Sequence, residues 1–167
     1  MNWFKISQQK IDQDAFNKKI KEIIKTDRYL ISLFEQFDIP IDYINDKLTF
    51  IITELKDKHS EANDKEIRIN SNLFETGNFF KDNFHFIVHE LIHWLHRQSE
   101  QKWYFNDFEE VQSFAAAIAW ELHQNHSLES IKIKILPIVR GHFKNDKDAE
   151  AFFELLKNKA LRLLKSF

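Results

Sequence analysis

Residues 82–97 read DNFHFIVHELIHWLHR and form the most informative segment of the chain. Its apolar residues recur at the spacing of one face of an α-helix; they are Phe84, Val88, Leu91, Ile92 and Leu95. Asp82 or Asn83 is suited to cap the start of such a helix, and Arg97 suits its last turn. The segment therefore predicts an amphipathic helix.

A second stripe on this helix consists of histidines, namely His85, His89, His93 and His96. His89 and His93 are four residues apart, which places both imidazoles on one face, one turn apart. Glu90 projects about 100° round the helix from His89, by the 3.6-residue period. The pattern His-Glu-x-x-His thus lets two histidines bind one divalent ion while the glutamate holds a metal-bound water, as a zinc hydrolase requires.

A catalytic zinc ion usually takes three protein ligands and leaves one position for water. The chain has no Cys, and its only Met is Met1, which excludes a thiolate ligand and a Met-turn peptidase. On a continuous helix His96 lies about 10 Å along the axis from His89, too far to share the ion, at 1.5 Å per residue. The remaining candidates are Glu109 and Glu110, in the first turn of the next helix.

Of these two glutamates, Glu110 is the predicted third ligand. It leads a stripe that is expected to face inward, with Phe114, Ala117, Ile118 and Glu121. Glu109 is better placed for solvent or for supporting a ligand. The alternative role for two acidic residues in a first turn is a favourable interaction with the helix dipole.

Composition bounds the class of protein. A chain of 167 residues is long enough for one domain with an adequate core, so we expect a single domain over residues 1–167. Phe is abundant at 17 residues, whereas Gly and Pro number 2 each, which favours helices over tight turns. The absence of Cys also excludes disulfides and cysteine nucleophiles.

Charge and hydropathy limit the partners and the location. A net charge of −2 offers no electrostatic reason for nucleic acid as the main partner. The first residues lack the long apolar run of a signal peptide. The longest apolar stretch, residues 114–120, is too short to cross a bilayer. We therefore expect a cytoplasmic protein with no membrane partner.

Elsewhere the apolar patterns predict an α+β fold that is mostly helical. The further predicted helices are 11–37 with a break near Thr26-Asp27, 107–124, 128–143 with a bend at Pro137, and 147–164. Residues rich in β-branched and aromatic types predict strands at 48–55 and at Glu66–Asn70. We expect these two strands to pair as a hairpin across a polar turn at 56–64.

The segment His89-Glu90-Leu91-Ile92-His93, followed by Glu110-Val111-Gln112-Ser113-Phe114-Ala115, resembles the gluzincin pattern. More narrowly, it resembles the small ImmA/IrrE-type peptidases and the minigluzincins, over about residues 45–120. Ile92 and Gln112 depart from that pattern, which often has Gly and Asn there. The resemblance implies a zincin-like core with a small sheet packed on the active-site helix and a downstream glutamate helix. It also implies that the strand Glu66–Asn70 lies at the rim of the cleft and can pair with an extended peptide.

These observations predict a small zinc metalloendopeptidase that acts on a peptide or protein. One Zn²⁺ ion per chain is expected on His89, His93 and Glu110, with Glu90 as the general base on the zinc-bound water. Candidates for stabilising the developing oxyanion are Tyr104, His123, His126, Arg140 and His142.

Two alternative functions remain. One is a catalytically silent zincin-fold protein with a structural or regulatory role, for instance a phage-related one. The other is a helical interaction module in which the motif is accidental.

Overall fold

The computed structural model describes residues 12–75, 77–99 and 106–167. Within these ranges the protein has eight α-helices and a three-stranded mixed sheet, so the predicted mostly helical α+β class is confirmed. Backbone contacts group the chain into two compact units, Met1–Tyr104 (unit 1) and Phe105–Phe167 (unit 2). The prediction of one domain over 1–167 stays a prediction.

Unit 1 begins with two helices, α1 (Gln13–Thr26) and α2 (Arg28–Gln36), separated by Asp27. The Asp27 side chain accepts a hydrogen bond from the backbone of Leu30, and its own backbone N–H bonds to the Ile23 carbonyl. One residue therefore ends α1 and caps α2, which confirms the predicted break. A short helix that the sequence patterns did not predict, α3 (Tyr43–Lys47), follows.

The sheet of unit 1 contains β1 (Thr49–Thr53), β2 (Ser60–Ala62) and β3 (Glu66–Asn70), in the order β1-β3-β2. β1 and β3 are parallel, whereas β2 and β3 are antiparallel. The expected hairpin between residues 48–55 and 66–70 is therefore wrong. The segment between them is not only a turn, because it contains β2, and β2 forms the hairpin with β3. A parallel pair needs such a crossover connection.

The two edges of this sheet differ. The side chain of Gln13 on α1 exchanges two hydrogen bonds with the backbone of Ile52, at 2.7 and 3.0 Å. Asn17 accepts a further one from the backbone of Phe50 at 2.9 Å. These amides bond to β1 on the side away from β3, so β2 is the other edge strand. Because β3 is bonded to strands on both sides, the expectation that Glu66–Asn70 pairs with an extended peptide is wrong.

A 3₁₀ helix (Ser71–Phe74) and α4 (Phe79–Asp82) lead into α5 (Phe84–Gln98). The strands β2 and β3 pack against α5, which confirms that the sheet lies on the predicted histidine helix. Tyr29, on α2, is fully buried in this unit. Burial, followed by the nearby charge of Asp27, raises its pKa well above the ordinary value for tyrosine.

Unit 2 consists of three helices, α6 (Asn106–His123), α7 (Leu128–Arg140) and α8 (Asp146–Lys165). They agree with the predicted helices to within about three residues. α8 packs against both α6 and α7 through Phe153, Leu156 and Ala160 among its buried residues. No helix in the described parts of the chain is long and apolar enough to cross a membrane.

Candidate metal centre

α5 presents His89 and His93 on one face, both half-buried. Their Nε2 atoms lie 3.2 Å apart. Two nitrogens that share one zinc ion at about 2.0–2.1 Å in tetrahedral geometry are separated by about 3.4 Å. The two imidazoles are thus already at nearly the separation that a shared ion requires.

Glu90 points to a different side of α5 and is buried, with 6% of its surface exposed. Its Oε1 accepts a hydrogen bond from the Oγ of Ser60, on the edge strand β2, at 2.7 Å. A buried carboxylate that lacks hydrogen bonds is costly, so this contact both stabilises Glu90 and orients it.

The sheet is tied to α5 at the turn between β2 and β3. The carbonyl of Asp64, in that turn, accepts hydrogen bonds from Trp94 Nε1 at 3.2 Å and from Gln98 Nε2 at 3.1 Å. Asn63 closes the turn by accepting from the backbone N–H groups of Lys65 and Glu66. The hairpin that carries Ser60 is therefore held to the helix that carries Glu90.

In unit 2, Glu109 and Glu110 lie in the first turns of α6. Glu109 is half-buried and Glu110 is exposed, so their order of exposure is the reverse of the predicted one. The rest of the predicted stripe is buried as expected, namely Phe114, Ala117, Ile118 and Glu121. An exposed Glu110 keeps its hydration, which a buried and unpaired carboxylate would lose.

Among the residues that the structure describes, His89, His93 and Glu110 form a group of side chains that could hold a metal ion. The donor set, two imidazoles and one carboxylate, is one that catalytic zinc sites use. The predicted ligands are thus compatible with a metal ion.

The other histidines of α5 have different surroundings. His85 is buried and its ring lies 4.3 Å from that of Phe86. His96 packs edge-on against Phe37 at 4.8 Å. The contact of His96 fits the expectation that this residue is not a ligand.

The residues considered for oxyanion stabilisation are dispersed in unit 2, apart from Tyr104, which lies outside the described residues. His123 and His142 contact aromatic rings, those of Trp120 and Phe167 for the first and that of Phe114 for the second. Arg140 bonds to Asp146 and Glu150, and His126 bonds to Glu121. These contacts give each side chain a role within unit 2, and none of them selects an oxyanion stabiliser.

Sequence reasoning missed Ser60. A three-residue strand is too short for an alternating pattern to be recognised, and its polar neighbours predict a turn. In the hairpin that the structure shows, Ser60 lies opposite the buried Ile69. Opposite residues share a face of the sheet, so the register directs Ser60 toward α5.

Comparison with known proteins yields no match: no protein-family model matches the chain, and no curated protein or solved structure matches it significantly. The function therefore has to be argued from the residues and their geometry.

Proposed function

We propose that this protein is a zinc-dependent peptidase in which His89, His93 and Glu110 bind one Zn²⁺ ion and Glu90 is the general base. The observation that carries the proposal is the 3.2 Å separation of the two histidine nitrogens, on the helix that also carries Glu90. The resemblance of these residues to the gluzincin pattern supports the same assignment.

The ligands suit a catalytic ion better than a purely structural one. Structural zinc sites are closed by four protein ligands and are commonly rich in thiolates, and this chain has no Cys. A set of two histidines and one glutamate leaves a coordination position for water or substrate. A buried glutamate directly after the first histidine also has no use in a closed structural site.

His89, His93 and Glu110 would hold the Zn²⁺ ion, which would act there as a Lewis acid on a substrate carbonyl and lower the pKa of a water molecule. The protein itself moves the proton at Glu90. Its carboxylate accepts a proton from the attacking water and then gives it to the nitrogen of the leaving amine. Low exposure and the bond from Ser60 keep that carboxylate in one orientation.

The proposed substrate is a peptide in extended conformation. β2, which contains Ser60, is one edge strand of the sheet, and β1 is the other. Side chains of α1 already bond to the outer edge of β1. An extended peptide can add to an exposed edge strand through main-chain hydrogen bonds. A substrate on β2 would run beside the strand that contacts Glu90.

Metal analysis tests the centre directly. After dialysis against zinc, the protein is expected to hold about one Zn²⁺ per chain, measured by mass spectrometry of the metal content, because three ligands define one site. His89→Ala should lose the ion and the hydrolysis of fluorescein-labelled casein. His96→Ala, on the same helix but packed on Phe37, should keep both.

Two results would overturn parts of this proposal. Full zinc retention by His89→Ala would remove the site. Zinc binding by the wild type without casein hydrolysis above that of Glu90→Gln, and without hydrolysis of a broad peptide library, would favour a metal-binding protein that is not an enzyme.

A further inference from the structure

Ser60 is the residue of β2 whose side chain reaches Glu90. We infer that Ser60 is a positioning residue for the general base, an inference that rests on the function proposed above. Its hydroxyl donates to Glu90 Oε1 at 2.7 Å, across 30 residues of sequence. The bond joins the edge strand to the helix that carries His89 and His93.

The need for such a residue follows from the freedom of a glutamate side chain. The helix restricts the first torsion angles of Glu90 to staggered wells, but the terminal carboxylate torsion is broad. A donor on Oε1 fixes that rotation, and so fixes the direction of Oε2 as well. A general base has to lie within hydrogen-bond distance of the water molecule whose proton it accepts, so its efficiency depends on the direction of this oxygen.

The hydroxyl is itself well placed because the residues before it are anchored. The backbone N–H of Asn70, at the end of β3, donates to the His59 carbonyl at 2.8 Å. The Asn70 side chain donates to the carbonyls of Lys58 and Leu55 at 2.7 and 2.8 Å. Asn70 is 5% exposed. A buried amide thus holds the entry to β2, and with it the position of Ser60.

Serine also suits the task chemically. A hydroxyl donates one proton and carries no charge, so it orients a carboxylate without forming an ion pair with it.

The kinetic test compares Ser60→Ala, Ser60→Thr and the wild type, each loaded with zinc, on fluorescein-labelled casein. Loss of a residue that orients a catalytic group typically costs 10–100-fold in activity. We expect a decrease of about that size in kcat for Ser60→Ala, with KM and zinc content unchanged. Ser60→Thr retains the hydroxyl and should recover most of the activity. Ser32→Ala removes a hydroxyl that donates to the Tyr29 carbonyl within α2 and should match the wild type.

A binding measurement separates this inference from the peptidase proposal. Acetohydroxamic acid is a zinc ligand whose acidic proton needs an acceptor beside the metal. Its affinity for the zinc-loaded protein should fall in Ser60→Ala, recover in Ser60→Thr, and fall in Glu90→Gln.

The outcomes are distinguishable. Weaker acetohydroxamate binding in Ser60→Ala, in a protein that hydrolyses nothing, would support the positioning role and overturn the peptidase proposal. Wild-type kcat and wild-type acetohydroxamate affinity in Ser60→Ala would overturn the positioning role alone. A zinc-loaded wild type that binds no acetohydroxamate would overturn both. A loss that Ser60→Thr does not recover would also overturn the inference, because it would show that the hydroxyl is not what matters.

Discussion

Among the residues that the structure describes, two glutamates are buried, one in each unit, and they are held in different ways. Glu90 in unit 1 is 6% exposed and Glu121 in unit 2 is 1% exposed. The hydroxyl of Ser60 donates to Glu90. Glu121 instead accepts from the ammonium group of Lys134 at 3.1 Å and contacts Nδ1 of His126.

The difference lies in what each partner does to the charge. A buried carboxylate paired with an ammonium group is compensated electrostatically, and the pair fixes the elements that supply it. For Glu121 these elements are α6 and α7. A hydroxyl directs a carboxylate without compensating its charge by an opposite one. The Glu121 cluster therefore suits a structural role, whereas the Ser60 contact suits the orientation of the Glu90 carboxylate.

The largest expected effect comes from removing each charge in turn. Glu90→Gln should retain zinc and lose casein hydrolysis by about 10²–10⁴-fold, the usual contribution of a general base. Glu121→Gln should leave the activity of the folded, zinc-loaded protein unchanged. The measurement is initial rate per bound zinc. Equal losses in the two variants would break the comparison, because both carboxylates would then act alike.

A second experiment sharpens the comparison along α6, which carries the exposed Glu110 as well as the buried Glu121. Glu110→Ala should weaken zinc affinity by more than about 100-fold, beyond the 10–100-fold typical of a residue that only supports a ligand. Glu109→Ala should change it little. Competition with a chromophoric chelator measures both affinities. Reversed effects would make Glu109 the ligand, and no effect in either variant would leave the centre without a third protein ligand.

The smallest expected effect is on stability. Lys134→Met removes the ammonium partner of Glu121, and breaking a buried pair typically costs 3–5 kcal/mol. We expect the free energy of unfolding of the zinc-free protein, measured with urea, to fall by about 2 kcal/mol. This is below that range because His126 still contacts the Glu121 carboxylate.

Lys132→Met is the matched control for that substitution. Lys132 pairs with Glu150 at 3.2 Å on the surface of unit 2, where an ion pair is worth about 0–1 kcal/mol. If the two lysine variants were equally stable, the Glu121 cluster would not contribute to the stability of unit 2 more than a surface ion pair does.

Features that depend only on neighbouring residues could be predicted from the sequence. A helical period of 3.6 residues places His89 and His93 on one face and Glu90 on another, whatever surrounds the helix. The break between α1 and α2 is equally local, because Asp27 caps through the backbone of Leu30, three residues away. The choice of Glu110 over Glu109 was less secure, because it rested on an inward face and the structure leaves Glu110 exposed.

Features that depend on residues far apart in the chain could be seen only in the tertiary structure. β1 pairs in parallel with β3, and β2 lies on the other side of β3. No local sequence pattern reveals that order. The bond from Ser60 to Glu90 spans 30 residues, and the bonds from Gln13 to Ile52 span 39. Such contacts follow from strand register and packing, and the pattern of side chains within one segment does not predict them. Local spacing could therefore point to Glu90 as the proposed general base, whereas its contact with the Ser60 hydroxyl could be seen only in the folded sheet.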